Sequence, residues 1–352
     1  MGDRIKDIGE FGLIGRIQHL LSREGCVDPA VTLSLGDDSA SFQPREGCEI
    51  LVTCDSMVEG RHYLPGKMNP MEIGRRAMTM NISDIGAMGG VPRYALISLG
   101  LNEDTPVLDI EELYRGFLDV LRDFEASIVG GNLTKVDGAE FIDITLIGET
   151  ERGKVIRRDS AREGDAIVVT GYPGHSAAGL ELLLSKEHSD ESIADHPLVQ
   201  AYKRPTHRAR EGKAIADSGL ASAMIDTSDG FAGDLGHICE GSGLGAILYV
   251  DQLPLSDALR KISGKLRKDP YDFVLGSSDD YELIITCAPD HIRKIQDLIE
   301  SLSNVLVTEV GRIGGDSHRI CLCYPDGSEK DAIVSGWDHF VEGKRDAEQR
   351  NG

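Results

Sequence analysis

Aspartates recur beside apolar segments in this chain, at positions where their carboxylates could bind a divalent cation. Asp38 stands in LGDDSASF, Asp55 in LVTCDSMVEG, and Asp226 and Asp229 in MIDTSDGF. A strand end delivers a side chain to the rim of a sheet, where α/β proteins commonly bind ligands, and Mg²⁺ prefers carboxylate oxygens. A single aspartate beside Gly or Ser is more often a turn former or a helix cap. The recurrence of the pattern, rather than any one residue, predicts a magnesium site.

Asp84 differs from the others because it interrupts an apolar helical pattern. The segment MNISDIGAMGG places it among Met80, Ile82, Ile85 and Met88. Burying a carboxylate costs free energy unless the group is paired or binds a cation. Packing therefore does not account for this residue, and Asp84 is the strongest single candidate for a metal ligand.

Glycine-rich turns at 89–90, 130–131 and 171–174 could let the backbone approach a phosphate closely, although each is equally consistent with an ordinary turn. The segment GETERGK at 148–154 fits the first part of a phosphate-binding loop. Val155 replaces the Ser or Thr that would bind metal there, so this assignment is rejected.

Arg158 could supply local positive charge or could belong to a solvated linker, and the sequence leaves both readings open.

Composition limits the classes of partner. The net charge of -22 over 352 residues repels nucleic acid and anionic lipid, so neither is expected to bind. Seven cysteines without a CxxC pair argue against a disulfide framework or a zinc knuckle, and Cys321 and Cys323 are expected on the same face of a strand. The absence of a membrane-length apolar segment and of a secretory signal pattern predicts a cytoplasmic location. Such an acidic chain can bind nucleotide phosphates through cations, backbone N–H groups or a few arginines.

The length predicts two domains at about 150 residues each, both of α/β or α+β type. A charged segment near residue 150 separates the halves, so we place the domains at 1–150 and 151–352. In the first half, strands are predicted at 50–54, 94–101, 126–129 and 141–147, and helices at 71–88 and 108–124. In the second half, strands are predicted at 166–170, 221–225, 246–250, 283–287 and 306–313, and helices at 176–184, 208–218, 232–240 and 290–302.

Motifs along nearly the whole chain resemble one family in their order. They are GEFGLIGRI, LGDDSA, TCDSMVEGRHYL, NISDIGAMGG, SIVGGN, TGYPGHSAAGL, DTSDGF, SSDDYEL and GWDHF. On these motifs the chain resembles the thiamine-monophosphate kinase family, in the superfamily that includes aminoimidazole ribonucleotide synthetase. The resemblance implies a two-domain aminoimidazole ribonucleotide synthetase-like fold, with an N-terminal sheet domain that forms a homodimer and a C-terminal α/β domain. It also implies transfer of the γ-phosphoryl group of ATP to thiamine monophosphate, with several Mg²⁺ ions bound.

The resemblance also implies a role for individual residues, by their position in these motifs. The catalytic residues would be Asp55, Asp84 and Asp226. The metal ligands would be Asp38, Thr53, Asp55, Asp84, Asn132, Asp226 and Asp229. ATP would contact Phe124, Gly131, Asn132, Arg158 and Ser228, and thiamine monophosphate would contact His62, Asp279 and Trp337.

The chain departs from the family pattern at several of these positions. The family usually has Asp where Asn132 stands, Thr at Cys54, Glu at Asp279 and two glycines at 277–278. Compared with the usual Asp, Asn132 offers a metal ion a neutral carbonyl oxygen and no negative charge. Compared with the usual Glu, the side chain of Asp279 is shorter by one methylene. Two alternatives therefore stay open: another ATP-using enzyme of the superfamily, such as a synthetase-like ligase, or a nucleotide-binding regulatory paralogue with impaired catalysis.

Overall fold

A computed structural model of the chain describes residues 2–26, 28–185 and 193–332. Its first part contains one long helix, a short two-stranded ribbon, a four-stranded sheet and two further helices. In chain order these elements are α1 Ile5–Glu24, β1 Val31–Leu33, β2 Ser41–Phe42, β3 Cys48–Val58, α2 Pro70–Ala87, β4 Val91–Leu101, α3 Val107–Leu121, β5 Ser127–Lys135 and β6 Phe141–Glu151.

The four-stranded sheet has one covered face and one open face. Its strand order is β3-β6-β4-β5, antiparallel except for the parallel pair β4 and β5. Alternate residues such as Ile97 and Ile144 are fully buried on the face that packs against α2, and α3 packs against α2. On the other face Val52 is 64% exposed and Ile50 is 42% exposed. The open face is therefore partly apolar.

The second part is a seven-stranded sheet of order β13-β12-β9-β11-β7-β10-β8, surrounded by helices. Its elements are β7 Ala166–Thr170, α4 His175–Leu184, α5 Pro197–Lys203, α6 Ala209–Ser218, β8 Ala221–Asp226, α7 Phe231–Ser242, β9 Ala246–Tyr249, α8 Asp257–Leu266, α9 Pro270–Leu275, β10 Leu283–Cys287, α10 Ile292–Leu302, β11 Val307–Ile313, β12 Ile320–Cys323 and β13 Glu329–Asp331. Within the described residues, no helix is long and apolar enough to cross a membrane.

Helix α2 connects the two parts because one of its sides packs on the four-stranded sheet and another side packs on α6 and β8 of the C-terminal part. It begins with Asn69 as N-cap and Pro70 in the first turn, and the Asn69 side chain accepts a hydrogen bond from the Glu72 backbone. At its other end Gly86 packs directly on Ala209 of α6, where a Cβ would lie 2.5 Å from the Ala209 Cα. The close approach requires glycine and fixes α2 against the C-terminal part.

The α/β (α+β) class predicted from the sequence is confirmed, and each predicted strand and helix has a counterpart. One boundary matters for the site. The strand predicted at 50–54 continues to Val58, so Asp55 lies in the middle of β3 and not after its end. Helices α1, α5, α8 and α9 were not predicted from the sequence.

Candidate active site

Three carboxylates converge where β3, α2 and β8 meet. Asp55 points from β3 toward α2, and its carboxyl group lies within hydrogen-bonding reach of Asp84. The Thr53 hydroxyl, two residues earlier on the same face, also donates to Asp84. Asp226, the last residue of β8, is 4% exposed and accepts a hydrogen bond from the Ser83 hydroxyl at 2.5 Å. The cluster therefore joins the two parts of the chain through α2.

Burial and mutual repulsion make this cluster electrostatically unfavourable when all its members are ionised. Burial, with repulsion from Asp84 and Asp229, raises the pKa of Asp55 to about 7. Burial also raises the pKa of Asp84 and raises that of Asp226 well above its usual range. Among the described residues, no lysine, arginine or histidine forms an ion pair with these three carboxylates. Hard oxygen donors without a basic partner fit Mg²⁺.

The turn after β8 is held by a residue that the sequence did not single out. Asp234, in the first turn of α7, accepts the backbone N–H groups of Asp229 at 3.1 Å and Gly230 at 3.0 Å. Gly230 has φ of 119°, which only glycine adopts without strain. Burial, with repulsion from Asp229, raises the pKa of Asp234 to about 7. Its position four residues after Gly230, in a helical first turn, was the signal available in the sequence.

Three of the predicted nucleotide residues have different surroundings. Arg158 is exposed, and its charge partly offsets the rise in the pKa of Asp84 that burial causes. Ser228 is half-buried in the turn after β8. Phe124 is half-buried beside the ring of His207, with 5.3 Å between ring centroids. The role of Arg158, as a source of local positive charge or as a residue of a solvated linker, stays a prediction.

Asn132 lies apart from the carboxylate cluster within one chain. The row from Asp55 on β3 continues through Ile144 and Ile97 to β5, the opposite edge of the sheet. Three strand spacings separate the edges, about 14 Å. Asn132 pairs with Ser98, the next residue along β4, so its side chain is on the other, open face. A single chain therefore does not bring Asn132 to the same ion as Asp55.

Two further expected site residues are also outside direct contact with the cluster. Asp38 is exposed on the loop between β1 and β2, and its backbone N–H donates to the Asp37 side chain at 2.9 Å. Gly131 is exposed on β5, where a Cβ would clash with the Ile97 carbonyl oxygen. Close strand packing alone thus accounts for this glycine.

On the expected substrate side, Asp279 is occupied by protein groups. Its Oδ2 accepts from the Arg76 guanidinium of α2, and its Oδ1 accepts from the Ser176 hydroxyl at 2.5 Å. Arg76 is 2% exposed and lies over the Tyr202 ring. This carboxylate therefore ties α2 to the C-terminal part, and its expected contact with thiamine monophosphate stays a prediction.

Of the other two expected substrate residues, only His62 lies within the described residues. The His62 Nδ1 accepts the Val58 backbone N–H at 2.9 Å, which closes the turn after β3 and fixes which nitrogen faces the strand. Trp337 lies outside the described residues.

Comparison with known proteins gives matches along nearly the whole chain. The AIR synthase related protein N-terminal domain matches residues 36–150, and the corresponding C-terminal domain matches residues 162–321. Thiamine-monophosphate kinase of Aquifex aeolicus is 35% identical over 96% of this chain and 100% of that protein. The crystal structure of thiamine-monophosphate kinase from Stenotrophomonas maltophilia K279a superposes with a TM-score of 0.78 at 32% identity, covering 91% of this chain and 98% of that one.

A further solved structure contains ligands. AaThiL complexed with AMPPCP and TMP superposes with a TM-score of 0.72 at 34% identity, covering 97% of this chain and 100% of that one. AMPPCP is an analogue of ATP in which a methylene group replaces the oxygen between the β- and γ-phosphates. That relative therefore binds a nucleotide triphosphate analogue and TMP together.

Proposed function

The chain belongs to the thiamine-monophosphate kinase family of AIR synthase related proteins, and on this premise we propose that it phosphorylates thiamine monophosphate with ATP. The family and the two-domain fold predicted from the motifs are confirmed. The product of this reaction is thiamine diphosphate. The observation that carries the proposal is the convergence of Asp55, Asp84 and Asp226 from both parts of the chain onto one site, where no ion pair to them is found among the described residues.

The chemistry needs charge compensation more than a base. The acceptor is a phosphate oxygen that is already ionised near neutral pH, so no side chain has to remove a proton from it. We assign Asp55, Asp84 and Asp226 as the residues that would hold Mg²⁺, with Thr53 orienting the Asp84 carboxylate through its hydroxyl. When bound, Mg²⁺ neutralises phosphate charge and favours an in-line approach of donor and acceptor.

Other residues are proposed for binding and positioning. Arg158, whose charge acts on Asp84, is proposed to pair with a nucleotide phosphate. Asp229 and Ser228 lie in the turn that Asp234 holds, and Asp229 is proposed as a further metal ligand. Asp38, Phe124 and His62 keep their predicted metal, adenine and thiamine roles as proposals.

We propose that residues 1–150 bind ATP and metal and form the dimer, and that residues 151–352 complete the active site in a cytoplasmic enzyme. The open sheet face supports the dimer because Val52 and Ile50 are apolar and exposed there. Asn132 and Gly131 lie on the far strand of the same sheet, so their proposed nucleotide and metal contacts are made where a second copy packs. In such a dimer Asn132 would contribute to a site although it is distant from Asp55 in one chain.

The dimer proposal predicts that Val52→Glu gives a protein with the mass of one chain in light scattering, because the charge would be buried in the interface. The matched control is Leu302→Glu on α10, an apolar side chain that is 52% exposed, against 64% for Val52, but lies on the other part. The control should keep the mass of two chains. Two chains in Val52→Glu, or one chain in the unsubstituted protein, would contradict the proposed interface.

The function is tested by incubating the purified chain with ATP, Mg²⁺ and thiamine monophosphate. We expect thiamine diphosphate and ADP in equal amounts, and no product when the metal is chelated. ATP binding without turnover would support the regulatory alternative instead. Turnover of ATP only with a ribonucleotide amidine acceptor would support the ligase alternative.

A further inference from the structure

Two cysteines and one glutamate meet on the terminal hairpin of the large sheet. Cys321 and Cys323 are two residues apart on β12, so their side chains share a face, as the sequence predicted. Glu329 of β13 pairs directly with Cys323. The two sulfur atoms and a carboxylate oxygen all lie within 4.8 Å of one another, and the Cys321 Sγ is 3.7 Å from the Glu329 Oε2.

These separations are close to those in a metal-binding site. A tetrahedral zinc site with Zn–S near 2.3 Å and Zn–O near 2.0 Å places sulfur and oxygen about 3.5 Å apart and two sulfurs about 3.8 Å apart. The observed sulfur–oxygen separation of 3.7 Å differs from that value by a few tenths of an ångström. The other two separations are at most 4.8 Å, so rotation of these partly exposed side chains would bring the three atoms to metal-binding distances.

Neighbouring cations do not neutralise this group. Lys330 lies over the Tyr324 ring, 5.2 Å from its centroid, and Arg319 pairs with Asp316 and Asp331. Across the part of the chain that the structure describes, no basic side chain forms an ion pair with Glu329. Both cysteines are half-buried and the glutamate is exposed, so the group is open to solution on one side.

The group is separate from the proposed active site. Asp226 is on β8, at the opposite edge of the seven-stranded sheet. Five strand spacings separate β12 from β8, about 24 Å. A metal bound at the hairpin would therefore not contact the phosphates.

We propose that the β12–β13 hairpin binds one thiophilic divalent cation of the zinc class through the sulfurs of Cys321 and Cys323 and the carboxylate of Glu329. Water fills the fourth position, and the two thiols release their protons on binding. The sequence argued against a zinc knuckle because CxxC pairs are absent. The third ligand comes from the adjacent strand, so the loop spacing of a knuckle is not needed. The ion would clamp the hairpin at the edge of the sheet.

The probe is Co²⁺ added to the reduced full-length chain with excess Mg²⁺, so that the aspartate cluster is already occupied. We expect one Co²⁺ per chain with a sulfur-to-cobalt charge-transfer band, displaced by Zn²⁺. The band should be lost in the double variant Cys321→Ser/Cys323→Ser and kept in Cys54→Ser, which removes an exposed thiol elsewhere. No band, or a band that survives the double variant, would overturn the proposal.

A second variant keeps the test decisive if the double substitution disturbs folding. Glu329→Gln changes an exposed side chain and should weaken Zn²⁺ binding about tenfold or more, because it removes a charged ligand. Zn²⁺ should also protect Cys321 and Cys323 from alkylation, measured by mass spectrometry, without protecting Cys54. Unchanged Zn²⁺ affinity in Glu329→Gln removes the glutamate from the site, and equal alkylation with and without Zn²⁺ overturns the proposal.

Discussion

Replacing Asp84 with Asn is expected to lower kcat by about 10²- to 10³-fold while the fold is retained, the range seen when one preorganised charge-stabilising group is lost. The amide keeps the shape of the side chain but removes the charge that would hold Mg²⁺ beside Asp55. Burial, with repulsion from Asp229, raises the pKa of Asp84, so the neutral amide removes an unfavourable buried charge from the metal-free protein. We therefore expect the midpoint of thermal unfolding, measured without metal, to stay the same or to rise in this variant, although its activity falls.

Asp109 provides a matched control for this substitution. It is also a half-buried carboxylate with a pKa raised by burial, but it lies on α3 away from the cluster. Steady-state formation of ADP and thiamine diphosphate should be unchanged in Asp109→Asn. Full activity in Asp84→Asn would remove this residue from the site, and a fall in its metal-free thermal midpoint would show that Asp84 supports the fold instead.

Replacing Asp279 with Ala is expected to lower the free energy of unfolding by about 3–5 kcal/mol, because it leaves the charge of the buried Arg76 guanidinium without its carboxylate partner, and only the Tyr202 carbonyl oxygen still accepts from it. The pair joins α2 to the C-terminal part, so the loss should act on both parts of the chain. Urea titration followed by circular dichroism measures the effect. The Ser176 hydroxyl also loses its acceptor in this variant.

The comparison for this prediction is Asp104→Ala, which removes the partner of Arg4 and Lys6 from an exposed ion pair. Water screens that pair, so its loss should leave the unfolding transition nearly unchanged. Equal unfolding midpoints for Asp279→Ala and the unsubstituted chain would mean that Arg76 finds another partner. In that case Asp279 would again be available for the substrate role expected from the sequence.

The sequence was most informative where a residue contradicted its local pattern. Asp84 was found because a carboxylate inside an apolar helical run is costly unless it has a function. Asp226 was found because it ends an apolar strand, and the structure places it there. In both cases the information lies within a few residues along the chain.

Long-range arrangement was not available from the sequence. The order of strands in the sheet puts Asn132 on the edge opposite Asp55, although periodicity alone cannot give strand order. The Arg76–Asp279 pair joins residues 203 positions apart, and this link between the two parts of the chain could not be read from local patterns. Asp234 was missed because an acid in a helical first turn is ordinary until the turn it holds is known.

The central claim is that Asp55, Asp84 and Asp226 together hold Mg²⁺ for phosphoryl transfer. The most direct measurement is the binding of Mn²⁺, as a paramagnetic substitute for Mg²⁺, to the chain in the presence of AMPPCP. We predict that the chain binds Mn²⁺ and that excess Mg²⁺ displaces it. The number of Mn²⁺ ions bound per chain should be lower by at least one in Asp84→Asn than in Asp109→Asn. The same number of ions bound with the same affinity in both variants would contradict the claim.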